Sequence, residues 1–331
     1  MLVGAGAMGS LHARVVTQSQ DTELACIVDP RRDVGESLAA RFRTRWAPDV
    51  DGFDGFDAAI VASPTATHLK WALLALEADR PTLVEKPLAD SIDDVRSIVD
   101  AGRRRGVPLM CGLLERFNPA VQTALRIAEQ PVHVVTLRHS PYAPRVETGV
   151  AQDLLIHDVD LVLRLVGELP SRVDARFAYA HPESLPGAED VAEVICDFDG
   201  NILASLSASR LSQRKVRHLA IHELDRLIEV DMVRQDVTVY RHVVNDVMDE
   251  HGPGYRQQTI MEIPAIHDAH EPLASQLDRF VALVRGDADT HAELESLLAP
   301  HLVVHEVARV AGGGDPSRTN LRGLAASNAA K

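Results

Sequence analysis

Three glycines near the start of the chain constrain its fold more than any other feature. They have the spacing G-x-G-x-x-G and directly follow a short apolar run. In this pattern the first glycine permits a tight turn, the second lets the backbone approach a pyrophosphate, and the third lets the next helix pack on the strand. A helix from position 8 to about position 18 would direct its free N–H groups at the phosphates. The residues expected to contact a dinucleotide here are Gly4, Gly6, Ala7, Met8 and Gly9.

A carboxylate at the end of the next strand supports a dinucleotide site. The apolar run at 24–28 predicts a buried parallel strand that ends in Asp29, which lies 20 positions after Gly9. A carboxylate at that place accepts hydrogen bonds from the adenosine ribose hydroxyls, whereas a plain turn residue is the alternative. Arg31 and Arg32 follow, and guanidinium groups there suit a 2′-phosphate. We therefore expect NAD as the cofactor, with NADP possible.

The composition limits the kinds of protein that this chain can be. With 331 residues it is too long for one ordinary core, so we expect two domains. A formal net charge of −14 argues against a nucleic-acid backbone or an anionic membrane as partner. Its three cysteines lie in apolar stretches and indicate buried free thiols in a reducing compartment. No apolar run is long enough to span a membrane, so we expect a cytoplasmic enzyme.

The first strand is short for a domain of this kind, because only three residues precede Gly4. Either the true start of the chain lies upstream of Met1 or the first strand is unusually short. Apolar runs at 58–62, 82–84 and 108–111 then alternate with helical patterns, as in parallel strands covered on both faces. We therefore predict an α/β fold with an N-terminal Rossmann domain, a doubly wound parallel sheet, over residues 1–118.

Polar turns follow two of these strands at the sheet edge where doubly wound folds bind ligands. The first turn is Ser63-Pro64-Thr65-Ala66-Thr67-His68, and the second is Glu85-Lys86-Pro87. His68 opens a helix, so a polar helix start is its alternative role. Lys86 would lie near the nicotinamide, although a solvated surface charge is the usual role of a lysine at a strand end. The residues expected beside the cofactor are Ser63, Pro64, Thr65, His68, Glu85 and Lys86.

The second part of the chain predicts a different architecture. Strand-like runs separated by turn signals indicate a large, open and mostly antiparallel sheet, and one prominent helix at 153–165 interrupts them. We therefore expect an α+β domain for substrate binding and oligomerisation over residues 119–290. The predicted strands are 132–139, 172–180, 191–198, 202–209, 218–222, 226–230 and 237–243.

The helix at 153–165 carries an acidic residue and a histidine at helical spacing. Asp153 and His157 are four residues apart and would be neighbours on one helix face, where a carboxylate can orient an imidazole. A histidine that titrates near neutrality is a natural proton acceptor for an alcohol under oxidation. The alternative is an N-cap aspartate beside a partly buried structural histidine.

The end of the chain predicts two further helices and a disordered tail. The first covers 271–284, and the second, at 291–311, is expected to return to the Rossmann domain. His301 and His305 in that second helix have the spacing of a metal-binding pair, but no third ligand at a familiar spacing supports them, so we expect no metal. Small and polar residues at 312–331 predict disorder.

Four motifs in order resemble one known family. They are GAGAMGSLHAR at 4–14, SPTATH at 63–68, EKP at 85–87 and DLLIHDVDL at 153–161. Together they resemble the glucose–fructose oxidoreductase, inositol dehydrogenase and rhizopine-catabolism (Gfo/Idh/MocA) superfamily. The resemblance implies NAD(P)-linked oxidation or reduction of a sugar or cyclitol hydroxyl, and a homodimer or homotetramer formed through the open sheet.

The resemblance also implies roles for individual residues. Lys86 would hydrogen-bond the reacting hydroxyl, His157 would be the acid or base, and Asp153 would bind the substrate and orient His157. A transiently oxidising glycosidase-type relative that retains its NAD is a second hypothesis for the activity. A non-catalytic NAD-sensing regulator is a third, although such a protein does not need these three residues.

A narrower resemblance concerns the substrate. The stretch ERFNPAV at 115–121, the loop at 140–145 and the residues 149–150 look like the branch that oxidises the 3-hydroxyl of UDP-N-acetylglucosamine or its uronic acid. In that branch Arg116, Asn118 and Arg145 would lie beside the substrate, because an arginine fork suits a diphosphate or a carboxylate. Surface arginines are the alternative, and an inositol or a free sugar is the alternative substrate.

Overall fold

The structure is a computed structural model that describes residues 1–144, 148–249, 252–266 and 270–326. The chain divides into two compact units. The first contains Met1–Phe117 and His270–Leu302, and the second contains Asn118–Ala269 and Val303–Lys331.

The strands alternate with helices in the first third of the chain and follow one another closely in the middle. Along the described residues they are β1 (Leu2–Val3), β2 (Cys26–Val28), β3 (Arg45–Ala47), β4 (Ala59–Val61), β5 (Thr82–Val84), β6 (Leu109–Cys111), β7 (His133–His139), β8 (Arg172–Ala178), β9 (Val191–Asp197), β10 (Leu203–Ser209), β11 (Val216–His222), β12 (Leu227–Asp231), β13 (Asp236–Asp249) and β14 (Gly252–Glu262).

The helices are concentrated in the first third and in the last sixty residues. Along the described residues the α-helices are α1 (Ala7–Gln18), α2 (Arg32–Phe42), α3 (His68–Glu77), α4 (Ile92–Arg105), α5 (Pro119–Ile127), α6 (Ile156–Val166), α7 (Pro272–Arg285), α8 (Thr290–Glu295), α9 (Leu298–Ala311) and α10 (Leu321–Ala326).

The first unit contains a six-stranded parallel sheet in the order β3-β2-β1-β4-β5-β6. The order reverses between β1 and β4, and doubly wound sheets bind ligands at the carboxyl ends of strands beside such a reversal. Gly4 directly follows β1 and Ser63 lies two residues after β4, so the glycine turn and the turn at 63–68 lie at the reversal. The predicted Rossmann sheet is confirmed. Strand β3 was not predicted from the sequence, because this edge strand has only three residues and none of them is buried.

Helix α7 completes the core of the first unit. Its residues Leu273, Leu277 and Phe280 are buried in one cluster with Ala13 and Val16 of α1. The apolar stripe at helical spacing explains this packing, because it must be covered by another apolar face. The sequence assigned this segment to the substrate domain at 119–290, whereas the structure groups it with the Rossmann sheet.

The helix predicted at 291–311 is two helices. Helix α8 ends at Glu295 and α9 begins at Leu298. Pro300 lies in the first turn of α9, which is the part of a helix that needs no proline N–H. A continuous helix would place this proline in the interior, where its ring clashes with the preceding turn. The division between the two units falls inside α9, after Leu302.

The second unit contains an eight-stranded sheet in the order β14-β13-β12-β11-β7-β10-β9-β8. All neighbouring pairs are antiparallel except β7 and β10, so the predicted open, mostly antiparallel sheet is confirmed. Along β7, Val134, Thr136 and Arg138 are buried, whereas the alternating residues are partly exposed. This alternation leaves one face of the sheet open.

Strand β14 was not predicted from the sequence. It pairs with β13 alone, from Val239 opposite Glu262 to Asp249 opposite Gly252. Residues 256–262 are exposed, so they show no alternation of apolar and polar residues. An edge strand without a buried face leaves little signal in a sequence.

The prediction of a disordered tail at 312–331 is wrong for the residues up to 326. A short 3-10 turn at Pro316–Arg318 precedes α10, in which Leu321 is buried. Arg322 of α10 forms ion pairs with Glu168 and Asp199 at 3.0 and 2.8 Å. The small and polar composition hid these contacts, because they join the tail to residues far away in the sequence.

Cys26, Cys111 and Cys196 are free and buried. Burial raises the pKa of the Cys196 thiol to about 12, so this thiol stays protonated at neutral pH.

Among the described residues, no helix combines the length and the apolar character that a membrane span requires.

Candidate active site

The surroundings of the three glycines in the loop differ, so glycine is favoured at each position for a different reason. Gly4 has φ +101°, and a Cβ on it would lie 2.5 Å from the Ala62 carbonyl oxygen. A Cβ on Gly9 would lie 2.0 Å from the Gly4 carbonyl oxygen. A Cβ on Gly6 would meet no protein atom within 4 Å. Packing therefore requires Gly4 and Gly9, whereas the space beside Gly6 is open to a ligand.

The start of α1 is suited to hold a phosphate. Gly6 is the N-cap of this helix, and no side chain among the described residues caps it. The first N–H groups of a helix lack intrahelical partners and carry partial positive charge. The residues present therefore fit a dinucleotide pyrophosphate, with Ala7 and Met8 in the first turn.

Asp29 is buried at the carboxyl end of β2 and joins that strand to the glycine loop. Its Oδ2 accepts the Ala5 N–H at 2.8 Å, and its two oxygens accept Nε and Nη2 of Arg31 at 2.9 and 2.8 Å. Burial alone favours the neutral carboxyl, but the donors of Arg31 and Ala5 outweigh it and hold the pKa of Asp29 below its ordinary value. Asp29 is therefore ionised at neutral pH.

The Arg31 side chain is 59% exposed although it is paired with the buried Asp29. A guanidinium that is largely in water can leave one anion for another at small cost. Arg31 is therefore placed either to neutralise Asp29 or to contact a ribose 2′-phosphate. Arg32, 78% exposed, pairs with Glu36 on α2.

The loop after β4 is held by its own hydroxyls and by His68. Ser63 Oγ lies 2.7 Å from Thr67 Oγ1, and a 3-10 turn runs from Thr65 to Thr67. His68 is 1% exposed, and its Nε2 lies 2.8 Å from the Ser63 carbonyl oxygen. Pro64 stays exposed. The histidine predicted to contact the cofactor therefore lies under the loop and supports it.

Glu85 is also buried rather than open to a ligand. Its Oε1 lies 2.7 Å from Nε2 of His12 in α1, and its Oε2 accepts the Lys86 N–H at 3.2 Å. A Cβ on Gly112 would lie 2.6 Å from that Oε2, so the carboxylate fills the space beside β6. Sequence reasoning missed His12, although it lies inside the motif GAGAMGSLHAR. Lys86, directly after β5, is half-buried.

In the second unit, Asp153 lies in a π-helical turn. This turn covers Ala151–Leu155, and α6 with His157 follows it directly. A π-turn is wider than an α-helical turn, so the segment that carries Asp153 departs from the regular α-helix that the sequence predicts. Single π-turns inside helices are frequent at functional sites.

Two buried carboxylates hold this segment. Glu189 accepts the Ala151 N–H at 2.7 Å, and burial raises the pKa of Glu189 above its ordinary value. Asp158, the residue after His157, accepts Nη2 and Nε of Arg138 at 2.7 and 2.9 Å, and both side chains are almost fully buried. Sequence reasoning missed these partners, because nothing local in the sequence marks them.

The residues predicted beside the substrate have internal partners. Arg116 donates to Glu293 at 3.3 Å and to the Ser296 hydroxyl at 2.8 Å, and it is buried. Asn118 caps α5 by accepting the Ala120 N–H at 3.1 Å. These contacts account for both side chains without a ligand. Arg145 lies outside the described residues.

His301 and His305 have the sequence spacing of a metal-binding pair, but no third ligand was found in the sequence, so no metal was expected. His301 is buried and His305 is exposed. Among the described residues, no group of three or more histidine, cysteine, aspartate or glutamate side chains could hold a metal ion.

The open space at Gly6 generates a first prediction. Gly6 has φ −70°, which any residue adopts, so Gly6→Ala should fold with wild-type stability but weaken NADH binding at least about tenfold, because its methyl group competes with the pyrophosphate. Fluorescence titration with NADH and thermal unfolding measure the two effects. Gly9→Ala is the matched control and should lose stability, because its methyl group would overlap the Gly4 carbonyl. Wild-type NADH affinity in Gly6→Ala would contradict this view of the loop.

The Arg31 geometry generates a second prediction. Arg31→Ala should lower kcat/KM with NADP by about 10- to 100-fold, the value of a charge-assisted bond to phosphate, and change kcat/KM with NAD little. Initial rates with both cofactors measure the ratio of kcat/KM with NADP to kcat/KM with NAD. Arg41→Ala, at an exposed position of α2, serves as control. An unchanged ratio in Arg31→Ala would show that this guanidinium does not contact a 2′-phosphate.

Comparison with solved structures and known proteins agrees with this architecture. UDP-N-acetylglucosamine 3-dehydrogenase of Acidithiobacillus ferrooxidans is 29% identical over 263 residues, which cover 78% of this chain and 81% of that protein. Its structure matches with a TM-score of 0.80 and 25% identity over 93% of this chain and 96% of that chain. Inositol 2-dehydrogenase of Rhizobium meliloti is 27% identical over 308 residues, 87% of this chain and 89% of that protein.

A further structure shares the fold. An oxidoreductase of Agrobacterium radiobacter, solved with NAD+, L-tartaric acid and magnesium, matches with a TM-score of 0.80 and 17% identity over 98% of each chain.

Two family models match the sequence: the oxidoreductase family with an NAD-binding Rossmann fold at residues 1–113, and the GFO/IDH/MocA C-terminal domain at residues 131–225. This chain therefore belongs to the Gfo/Idh/MocA family of NAD-dependent oxidoreductases.

Proposed function

We propose that the chain is an NAD-dependent dehydrogenase that oxidises the 3-hydroxyl of a nucleotide-linked amino sugar or a related pyranoside. The observation that carries this proposal is the similarity to UDP-N-acetylglucosamine 3-dehydrogenase, which extends over most of both chains and over both domains. The ordered motifs of the glycine loop, the Glu85-Lys86-Pro87 turn and the segment at 153–161 support the same assignment.

In this proposal Lys86 donates a hydrogen bond to the reacting hydroxyl and favours its alkoxide-like transition state. His157 accepts the hydroxyl proton as general base, and Asp153 binds the substrate beside it. NAD, when bound, supplies the acceptor for the hydride. The protein contributes position and charge, so its chemistry depends on how firmly these three side chains are held.

The surroundings of the three residues support such a role. The Lys86 N–H donates to the buried Glu85 carboxylate, and the same carboxylate contacts His12. The helix with His157 is joined to the sheet by the buried pair of Asp158 and Arg138. Groups held by packed polar partners keep a geometry within the small tolerance that catalysis requires.

An inositol or a free sugar is the alternative substrate. The internal contacts of Arg116 and Asn118 favour it, because these side chains were the predicted contacts for a diphosphate. The similarity to inositol 2-dehydrogenase over 87% of the chain is a second argument. A glycosidase-type relative remains a different reaction class, in which NAD stays bound and no net reduction occurs.

We further propose a homodimer or homotetramer formed through the open face of the second sheet. On that face Ile195 is 46% exposed and Leu203 is 37% exposed, on neighbouring strands. Exposed apolar side chains grouped on a sheet face are typical of a surface that another subunit covers. The resemblance to the family supports the same arrangement.

The substrate proposal is tested by following NADH formation against UDP-amino sugars, their uronic acids, free pyranoses and inositols, with NAD and NADP in parallel. We expect turnover with the UDP-amino sugars or their uronic acids. Turnover only with free sugars or inositols would agree with the proposed dehydrogenase reaction but contradict the proposed nucleotide-sugar substrate. Cofactor that stays bound through purification without net reduction would favour the glycosidase-type reaction.

The catalytic assignment is tested by Lys86→Met and His157→Asn. Each should lower kcat by about 10²- to 10⁴-fold, because each removes a group that acts on the reacting hydroxyl. Lys70→Met, at an exposed position of α3, is the matched control and should keep wild-type kcat. Full turnover by either variant would remove that residue from the mechanism.

A further inference from the structure

Three backbone groups in the turn that carries Lys86 have a polar partner. The Lys86 N–H donates to Glu85 Oε2 at 3.2 Å, and the Pro87 carbonyl oxygen lies 2.9 Å from Nδ1 of His68. The Leu88 N–H donates to Nε2 of His301 at 3.0 Å. The backbone on both sides of the lysine is therefore held from several elements of the first unit.

His301 comes from the far end of the chain, 213 residues after Leu88. Its Nδ1 lies 2.7 Å from the Leu297 carbonyl oxygen, which only accepts, so Nδ1 carries the proton. Nε2 then offers its lone pair to the Leu88 N–H. Both ring nitrogens are thus used by the backbone in one neutral tautomer.

The other side of the turn is equally constrained. His12 of α1 lies 2.7 Å from Glu85, and both side chains are buried. His68 lies between the carbonyl oxygens of Ser63 and Pro87, at 2.8 and 2.9 Å. Leu88 itself is fully buried. Of residues 85–89, Lys86 alone is partly exposed.

We propose that His301 is a positioning residue for the dehydrogenase reaction, which holds the backbone of Lys86 in place through the Leu88 N–H. This inference rests on the proposed role of Lys86. A shift of about 1 Å in a reacting group can cost about 10²-fold in rate. A buried hydrogen bond two residues from the lysine controls a displacement of that size, whereas it does not touch substrate or cofactor.

Two substitutions of His301 distinguish the bond from Nε2 to Leu88 from the bond of Nδ1 to Leu297. His301→Gln keeps an acceptor at the place of Nε2, because the longer amide reaches as far as the imidazole. His301→Asn keeps a donor at the place of Nδ1 and is too short to reach Leu88. His305→Asn, one turn further along α9 and exposed, is the matched control.

We expect His301→Asn to lower kcat by about 10- to 100-fold and to leave KM and the NADH dissociation constant near their wild-type values. His301→Gln should recover most of kcat, and His305→Asn should have no effect. Wild-type kcat in His301→Asn would overturn the inference. Equal losses in the two His301 variants would also overturn it, because they would assign the effect to packing rather than to the Leu88 bond.

The role of Lys86 is tested separately. If Lys86→Met retains activity, the proposed mechanism fails, and the role of His301 fails with it. If Lys86→Met is impaired, the double variant Lys86→Met/His301→Asn decides the question. We expect the second substitution to add little further loss, because its effect passes through the lysine. A full additional loss would show that His301 acts by another route.

A measurement on the unmodified enzyme covers the case in which His301→Asn does not fold. Histidine labelled with 15N should show Nδ1 of His301 protonated and Nε2 unprotonated, and the resonance is assigned by its disappearance in His301→Gln. The Leu88 amide should exchange slowly with solvent. A His301 ring protonated on Nε2 would overturn the inference, because it could not accept the Leu88 N–H.

Discussion

The contact between the glycine loop and the end of β4 is the constraint on which the first unit depends. A Cβ on Gly4 would lie 2.5 Å from the Ala62 carbonyl oxygen, so no other residue lets the two chain segments pass. The same approach sets β1 beside β4, where the Ala62 N–H donates to Val3 at 2.8 Å. Because Asp29 accepts the Ala5 N–H, the adenosine end and the phosphate end of the predicted cofactor site are joined through one loop.

Buried polar contacts, rather than helix or strand propensity, hold the candidate catalytic segments. Glu85 with His12 and Asp158 with Arg138 are both buried pairs next to a proposed catalytic residue. For the charged pair of Asp158 and Arg138, the attraction adds little net stability, but the loss of one partner costs about 3–5 kcal/mol, because a buried charge is left without compensation. Such pairs therefore define geometry more than they stabilise the fold. In the proposed role of His301, an uncharged hydrogen bond to the Leu88 N–H positions the backbone in the same way.

Sequence reasoning succeeded where the pattern is local. Gly4, Gly6 and Gly9 were assigned separate roles from spacing alone, and each has a distinct packing environment in the structure. A partner that is distant in the sequence is not visible in such a pattern. Arg116 was expected beside the substrate, but it contacts Glu293 and Ser296, which lie at least 177 residues further along the chain. A sequence shows an arginine and does not show which acceptor it meets.

The order of apolar runs, glycines and polar turns predicted the two sheets and the dinucleotide-binding loop, and four ordered motifs carried the resemblance to the family. These features depend on the conformation of neighbouring residues, so a short stretch of sequence contains them. The π-turn at Asp153, the burial of His68 and the use of His301 could be seen only in the folded chain. Each depends on packing between segments far apart in the sequence, because a hydrogen-bond partner is selected by proximity in space and leaves no local pattern.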